Sequence, residues 1–158
     1  MKKDIQAKAE MLIRRPVAEV FQAFIDPEIT TKFWFTKSSG KLEVGKEVLW
    51  EWEMFGVSTK VLVKAIEENR RILITWDGYS GRENVEWVFT PYGTEGTFVR
   101  VTNYGFRGND DDEIVSQALD STGGFTYLLA GLKAFLEHNI RLNLVADSHP
   151  KGIDTASG

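Results

Sequence analysis

The chain has 158 residues, with ten Phe, five Trp and four Tyr, no cysteine, and a formal net charge of −4. That length suits one domain able to bury roughly 68–70% of its unfolded surface. The missing cysteine excludes disulfides, thiolate zinc sites and a cysteine nucleophile, and the acidic balance argues against a nucleic-acid binder, which needs a basic face.

In chain order, Ile5 to Ile13 alternates partly and predicts a first strand. No apolar run follows Lys2 and Lys3, and no stretch approaches the ~18 apolar residues of a membrane span, so neither signal peptide nor membrane contact is expected and a cytoplasmic location is. Pro16 opens a helix whose apolar face is Val17, Val20, Phe21 and Phe24. Asp26-Pro27-Glu28 reads as a second start, with Asp26 as cap, for a short helix ending near Phe33-Trp34-Phe35. Lys41 to Val44 is expected as a brief strand before a turn at Gly45.

From residue 46 the period changes to two. Val48, Trp50, Trp52 and Met54 share a face opposite Glu47, Glu51 and Glu53. After a turn at Phe55-Gly56, Val57, Thr59, Val61, Val63 and Ala65 share a face opposite Lys60 and Lys64. Ile72, Ile74 and Trp76 alternate next, then a turn runs through Gly78 and Gly81, and Val85, Trp87 and Phe89 follow. The last strand spans Thr97 to Tyr104, with either Val99, Val101 and Asn103 or their neighbours inward. Short turns between these strands predict an antiparallel meander with one wet face.

Asp110-Asp111-Asp112-Glu113 starts a long helix that carries Ile114, Ala118, Phe125, Leu128, Leu129, Leu132, Phe135, Leu136 and Ile140. This stripe is broad enough for a helix lying across a sheet. Gly123-Gly124 sits inside it and weakens it by ~1 kcal/mol per glycine. The expected fold class is α+β: a curved antiparallel sheet of about seven strands around a long C-terminal helix, with two short helices after the first strand. The expected domain is 1–147, with a mobile tail over 148–158.

Three segments carry a family resemblance: Pro16-Val17-Ala18-Glu19-Val20-Phe21-Gln22-Ala23-Phe24 with Asp26-Pro27-Glu28 and Phe33-Trp34; Asn84-Val85-Glu86-Trp87-Val88-Phe89-Thr90 with Gly96-Thr97 and Val99-Arg100-Val101-Thr102; and Gly124-Phe125-Thr126-Tyr127-Leu128-Leu129 with Leu132-Lys133-Ala134-Phe135-Leu136-Glu137. In order and spacing they resemble the START-like (SRPBCC, helix-grip) superfamily. Within it, the group similar to the C-terminal domain of the activator of heat-shock protein 90 ATPase matches best. Members often carry tryptophan where this chain has Phe125. The resemblance implies the helix-grip fold strongly. Function it implies only broadly, because the superfamily includes lipid carriers, hormone and polyketide binders, cyclases and many uncharacterised members.

No catalytic motif is present: there is no Gly-x-Ser-x-Gly, His-Glu-x-x-His or phosphate loop. His138 and His149 read as helix-end and tail residues, and the acidic run at Asp110 reads as a capped helix start without calcium-loop spacing. No metal or cofactor is expected. Trp50, Trp52, Trp76 and Trp87 share the apolar parity of their strands and should face the helix, with Trp34 covering one end. Ala118, Ser121, Gly123 and Gly124 supply little bulk opposite them, which predicts an apolar cavity with few polar handles. Its candidate walls are Trp34, Trp50, Trp52, Val61, Trp76, Trp87, Phe89, Ala118, Gly124, Phe125 and Leu128, and its handles Thr59, Asn103 and Ser121. The expected partner is a small apolar molecule, aromatic or lipid-like. A protein-interaction module similar to the chaperone activator and a cyclase-type enzyme are the competing readings.

Overall fold

The strands form one curved seven-stranded antiparallel sheet in the order β1-β7-β6-β5-β4-β3-β2. The computed structural model describes residues 5–153; Lys2, Lys3 and the last five residues of the expected tail lie outside them. The elements are β1 (Ala7–Ile13), α1 (Val17–Ile25), α2 (Pro27–Thr30), β2 (Lys37–Ser38), β3 (Glu47–Trp52), β4 (Val57–Glu67), β5 (Arg71–Asp77), β6 (Arg82–Tyr92), β7 (Gly96–Tyr104), α3 (Asp111–His138) and α4 (Leu144–Asp147). The α+β helix-grip architecture is the expected one.

Local chemistry explains the boundaries. Pro16 precedes α1, and its carbonyl accepts the first helical bonds from Glu19 and Val20. The Asp26 carboxylate accepts from the Glu28 amide at 3.0 Å and caps α2. Asp110 caps α3 by accepting from the Glu113 amide at 2.9 Å. Asn139 adopts a left-handed φ of 54° and ends α3 there. Ile140 therefore falls outside the helix and is exposed, contrary to its expected place in the apolar stripe.

The alternation holds along most of the sheet. On β7, Val99, Val101 and Asn103 are the inward set. Three details differ from the sequence reading. The pairing of β4 with β5 shifts register between Val63 and Ala65, so Ile66 packs on the core in place of Ala65. Met54 leaves the strand in a one-turn 3-10 helix, Glu53–Phe55, closed by left-handed Gly56. Residues 41–44 are not a strand; the short edge strand is Lys37–Ser38, paired with β3.

α3 lies along β1, and its C-terminal half is clamped there by polar bonds. The Lys133 ammonium donates to the Leu12 carbonyl at 2.9 Å and to Glu137 at 2.7 Å, and the Arg14 amide donates to the same Glu137 carboxylate at 2.8 Å. Burial pushes the Glu137 carboxyl up, but these donors outweigh it and hold the group below the usual carboxylate range. A depressed carboxyl pKa stabilises the fold above the ordinary value near ~4.3, and that contribution is lost as pH falls through the lower folded value. Glu137→Gln is expected to cost about 1–2 kcal/mol at pH 7. In thermal melts at successive pH values, its deficit against the unmodified chain should close toward pH ~3.

Candidate functional site

The strand tryptophans divide into two sets. Trp50 and Trp87 are 2% and 1% exposed and belong to the closed core. Trp52 and Trp76 are half-buried, one side on the core and the other on open space. Trp34, just after α2, joins both sets. Its ring centroid lies 5.0 Å from Trp50, 5.8 Å from Trp52, 6.1 Å from Trp76 and 5.9 Å from Trp87. All four strand tryptophans thus face the concave side, as their shared parity predicts.

Beside this cluster is a cavity of about 450 Å³. Its floor is Trp34, Trp52, Trp76 and Phe125, with Trp76 and Phe125 stacked at 5.9 Å. One wall is the flank of α3 carrying Asp120, Gly123, Gly124 and Tyr127, one helical step around from the core stripe of Ser121, Phe125 and Leu128. The opposite rim is Phe55 and Tyr79 from two turns, and Val145, Ser148 and His149 close one end. His149 stands edge-on to Phe55 at 5.9 Å, so residues assigned by sequence to the tail contribute to the wall. Gly123 and Gly124 hold the space open: a Cβ on either would meet no atom within 4 Å. Farther along the helix, a Cβ on Gly131 would lie 3.2 Å from the Phe33 carbonyl, so the bare backbone there permits close approach.

A buried polar chain stands behind the wall. Glu83 is 1% exposed. It accepts from the Trp76 indole at 3.3 Å, the Asn103 amide at 3.3 Å and the Tyr79 backbone at 2.7 Å. Asn103 also donates to the Asn84 carbonyl and accepts from the Ser121 hydroxyl at 2.8 Å, which ties β6, β7 and α3 together. Gly78 is required beside this carboxylate, since a Cβ there would lie 2.1 Å from Glu83 Oε1. At the rim the Tyr79 hydroxyl donates to Asp120. Partial burial, that hydrogen bond, and the charges of Asp120 and Glu83 all raise the Tyr79 hydroxyl above the usual phenol range, so it stays a donor.

Of the residues expected to form the cavity, Trp34, Trp52, Trp76, Ser121, Gly124 and Phe125 line it. Trp50, Val61, Trp87, Phe89 and Leu128 are packed in the core instead. Ala118 is also buried, Asn103 sits in the polar chain, and the Thr59 hydroxyl donates to the Asp77 carbonyl at 3.1 Å. Sequence reasoning missed Phe55, Tyr79, Asp120, Tyr127 and the C-terminal wall. It also missed Glu83, although that residue shares the inward parity of Val85 and Trp87. Among the described residues, no cluster of three or more His, Asp or Glu could hold a metal ion, and no helix is long and apolar enough to cross a membrane.

Comparison with solved structures supports the fold. A protein from Staphylococcus saprophyticus is 27% identical at a TM-score of 0.72, covering 87% of this chain and 96% of its own. The Aha1 dimer from Colwellia psychrerythraea is 18% identical at 0.70, covering 85% and 97%. An HSP90 activator from Plasmodium falciparum is 16% identical at 0.69, covering 84% and 96%. No curated protein matches the chain. Residues 14–137 match the family described as Activator of Hsp90 ATPase homolog 1-like protein, and that stretch includes β3 to β7, most of α3 and the tryptophan cluster. The chain therefore belongs to this family, an Aha1-like group of the START-like fold compatible with either a ligand-binding or an activator-like module.

Proposed function

We propose that the chain binds a small, apolar, aromatic molecule in the cavity between α3 and the tryptophan-bearing strands. One observation carries this reading: about 450 Å³ of space walled by Trp34, Trp52, Trp76 and Phe125, left open by two helical glycines that touch nothing. Its volume is in the range of small-molecule sites, and its apolar walls with few polar groups have their usual character. Flat ligands suit it, because exposed indole faces favour offset or edge-on ring contacts.

A naphthalene-sized neutral probe, 1-naphthylmethanol, is expected to change tryptophan emission on titration and to raise the melting temperature with probe concentration. A ligand selective for the folded state stabilises by mass action, about 2.7 kcal/mol at one hundred times its Kd. Absence of both responses up to the solubility limit, for this probe and for charged probes of the same shape, would remove the binding reading.

Membership of the activator family and likeness to an HSP90 activator favour a second reading, a protein-interaction module working through its outer surface. Capture of a chaperone by a protein that ignores aromatic probes would favour it.

A further inference from the structure

We propose that the cavity selects a cationic ligand, a flat aromatic amine or quaternary ammonium, over neutral and anionic compounds of the same shape; this rests on the binding reading above. Two carboxylates at the cavity lack an ion-pair partner among the described residues. Asp120 lies in the wall, and its hydrogen bond from Tyr79 uses only part of a carboxylate's accepting capacity. Glu83 lies directly behind the wall and is held by neutral N–H donors alone, on the indole of Trp76, the amide of Asn103 and the backbone of Tyr79. A carboxylate surrounded only by donors acts as a pure acceptor. Among the described residues neither acid forms an ion pair, and no lysine or arginine lines the cavity. Two carboxylates without an ion-pair partner among the described residues, one in the wall and one behind it, give the cavity a negative field that a cationic ligand can meet.

The walls add to that field. Indole and phenyl faces are the negative side of the ring quadrupole and attract a cation placed over them. At Trp76, donation of the N–H to Glu83 adds to this by pushing electron density into the ring. The Tyr79 hydroxyl, kept protonated by partial burial and its acidic neighbours, orients the Asp120 carboxylate at the mouth. An aromatic body would occupy the apolar floor while its ammonium reached Asp120.

The test compares three probes by calorimetric titration: 1-naphthylmethylammonium, 1-naphthylmethanol and 1-naphthoate. The ammonium is expected to bind about tenfold tighter than the alcohol, and the carboxylate weakest. In Asp120→Asn, whose side chain is exposed and can still accept from Tyr79, the ammonium's advantage over the alcohol should shrink to about twofold or less. Added salt should weaken only the ammonium. Equal affinity of the alcohol and the ammonium, or an ammonium preference unchanged in Asp120→Asn, would overturn the charge selection while leaving the cavity as a binding site. Failure of all three probes would remove the binding reading itself.

Discussion

Trp34→Ala is expected to destabilise the domain by about 3–5 kcal/mol, the usual cost of truncating a large buried aromatic. The residue is 8% exposed and touches all four strand tryptophans as well as Phe35 and Phe125. It contacts more of the rings of the closed core and the cavity floor together than its neighbours Trp52 and Trp76 do, so its removal leaves a void that strands already paired on both sides cannot collapse to fill. At about 2–4 °C per kcal/mol for a chain of this size, the melting temperature should fall by roughly 6–20 °C. Trp52→Ala, which removes a half-buried ring, should cost clearly less. Equal losses from the two would show that Trp34 is not the hub.

Glu83→Ala is expected to cost at least about 3 kcal/mol. Substitution removes the acceptor of the Trp76 indole, the Tyr79 backbone N–H and one N–H of Asn103, whose amide keeps its bond to the Asn84 carbonyl, and each donor left unsatisfied away from water costs about 1–3 kcal/mol. Glu83→Gln keeps the shape and one acceptor and should lose less. Denaturant unfolding of both variants checks the order, and a neutral Glu83→Ala would mean the polar chain contributes nothing to the fold.

The contrast between Trp34 and Glu83 marks what the sequence made legible. Alternation of period two put Trp50, Trp52, Trp76 and Trp87 on one face, and the sheet respects that parity because a one-residue slip would turn all of them to solvent. Capping chemistry at Asp26 and Asp110 was equally readable, since a carboxylate before a helix has one obvious use. The bulge between Val63 and Ala65 left no mark, because an inserted residue looks like any other in an alternating strand. The division of the tryptophans into core and cavity was not readable either. Parity gives direction, not depth, and the depth depends on where α3 crosses: it lies along β1 and leaves the β3 to β5 side to Trp34 and the open space. Phe55 and Tyr79 stand in turns, where no periodicity applies. Asp120 and Tyr127 lie on the helix flank beside the apolar stripe, a position that marks a wall only once the sheet's curvature is known. Glu83 was within reach: a carboxylate on the parity of Val85, Trp87 and Phe89 must be buried among donors, and the reading passed over it by starting that strand at Val85.

If the space beside Gly124 is a binding cavity, filling it should expel the ligand without unfolding the chain. Gly124 lies in α3 without a positive φ, and a Cβ there meets nothing within 4 Å, so leucine at this position enters the void without backbone strain. Ala118, by contrast, is buried and lies outside the cavity wall, so Ala118→Leu should overpack the core by about 1–3 kcal/mol. The most direct measurement is the affinity of Gly124→Leu for 1-naphthylmethanol beside its melting temperature. Binding is expected to weaken at least about tenfold, equivalent to about 1.4 kcal/mol, with a melting temperature equal to or above that of the unmodified chain. Unchanged affinity in a stably folded Gly124→Leu would contradict binding in this cavity.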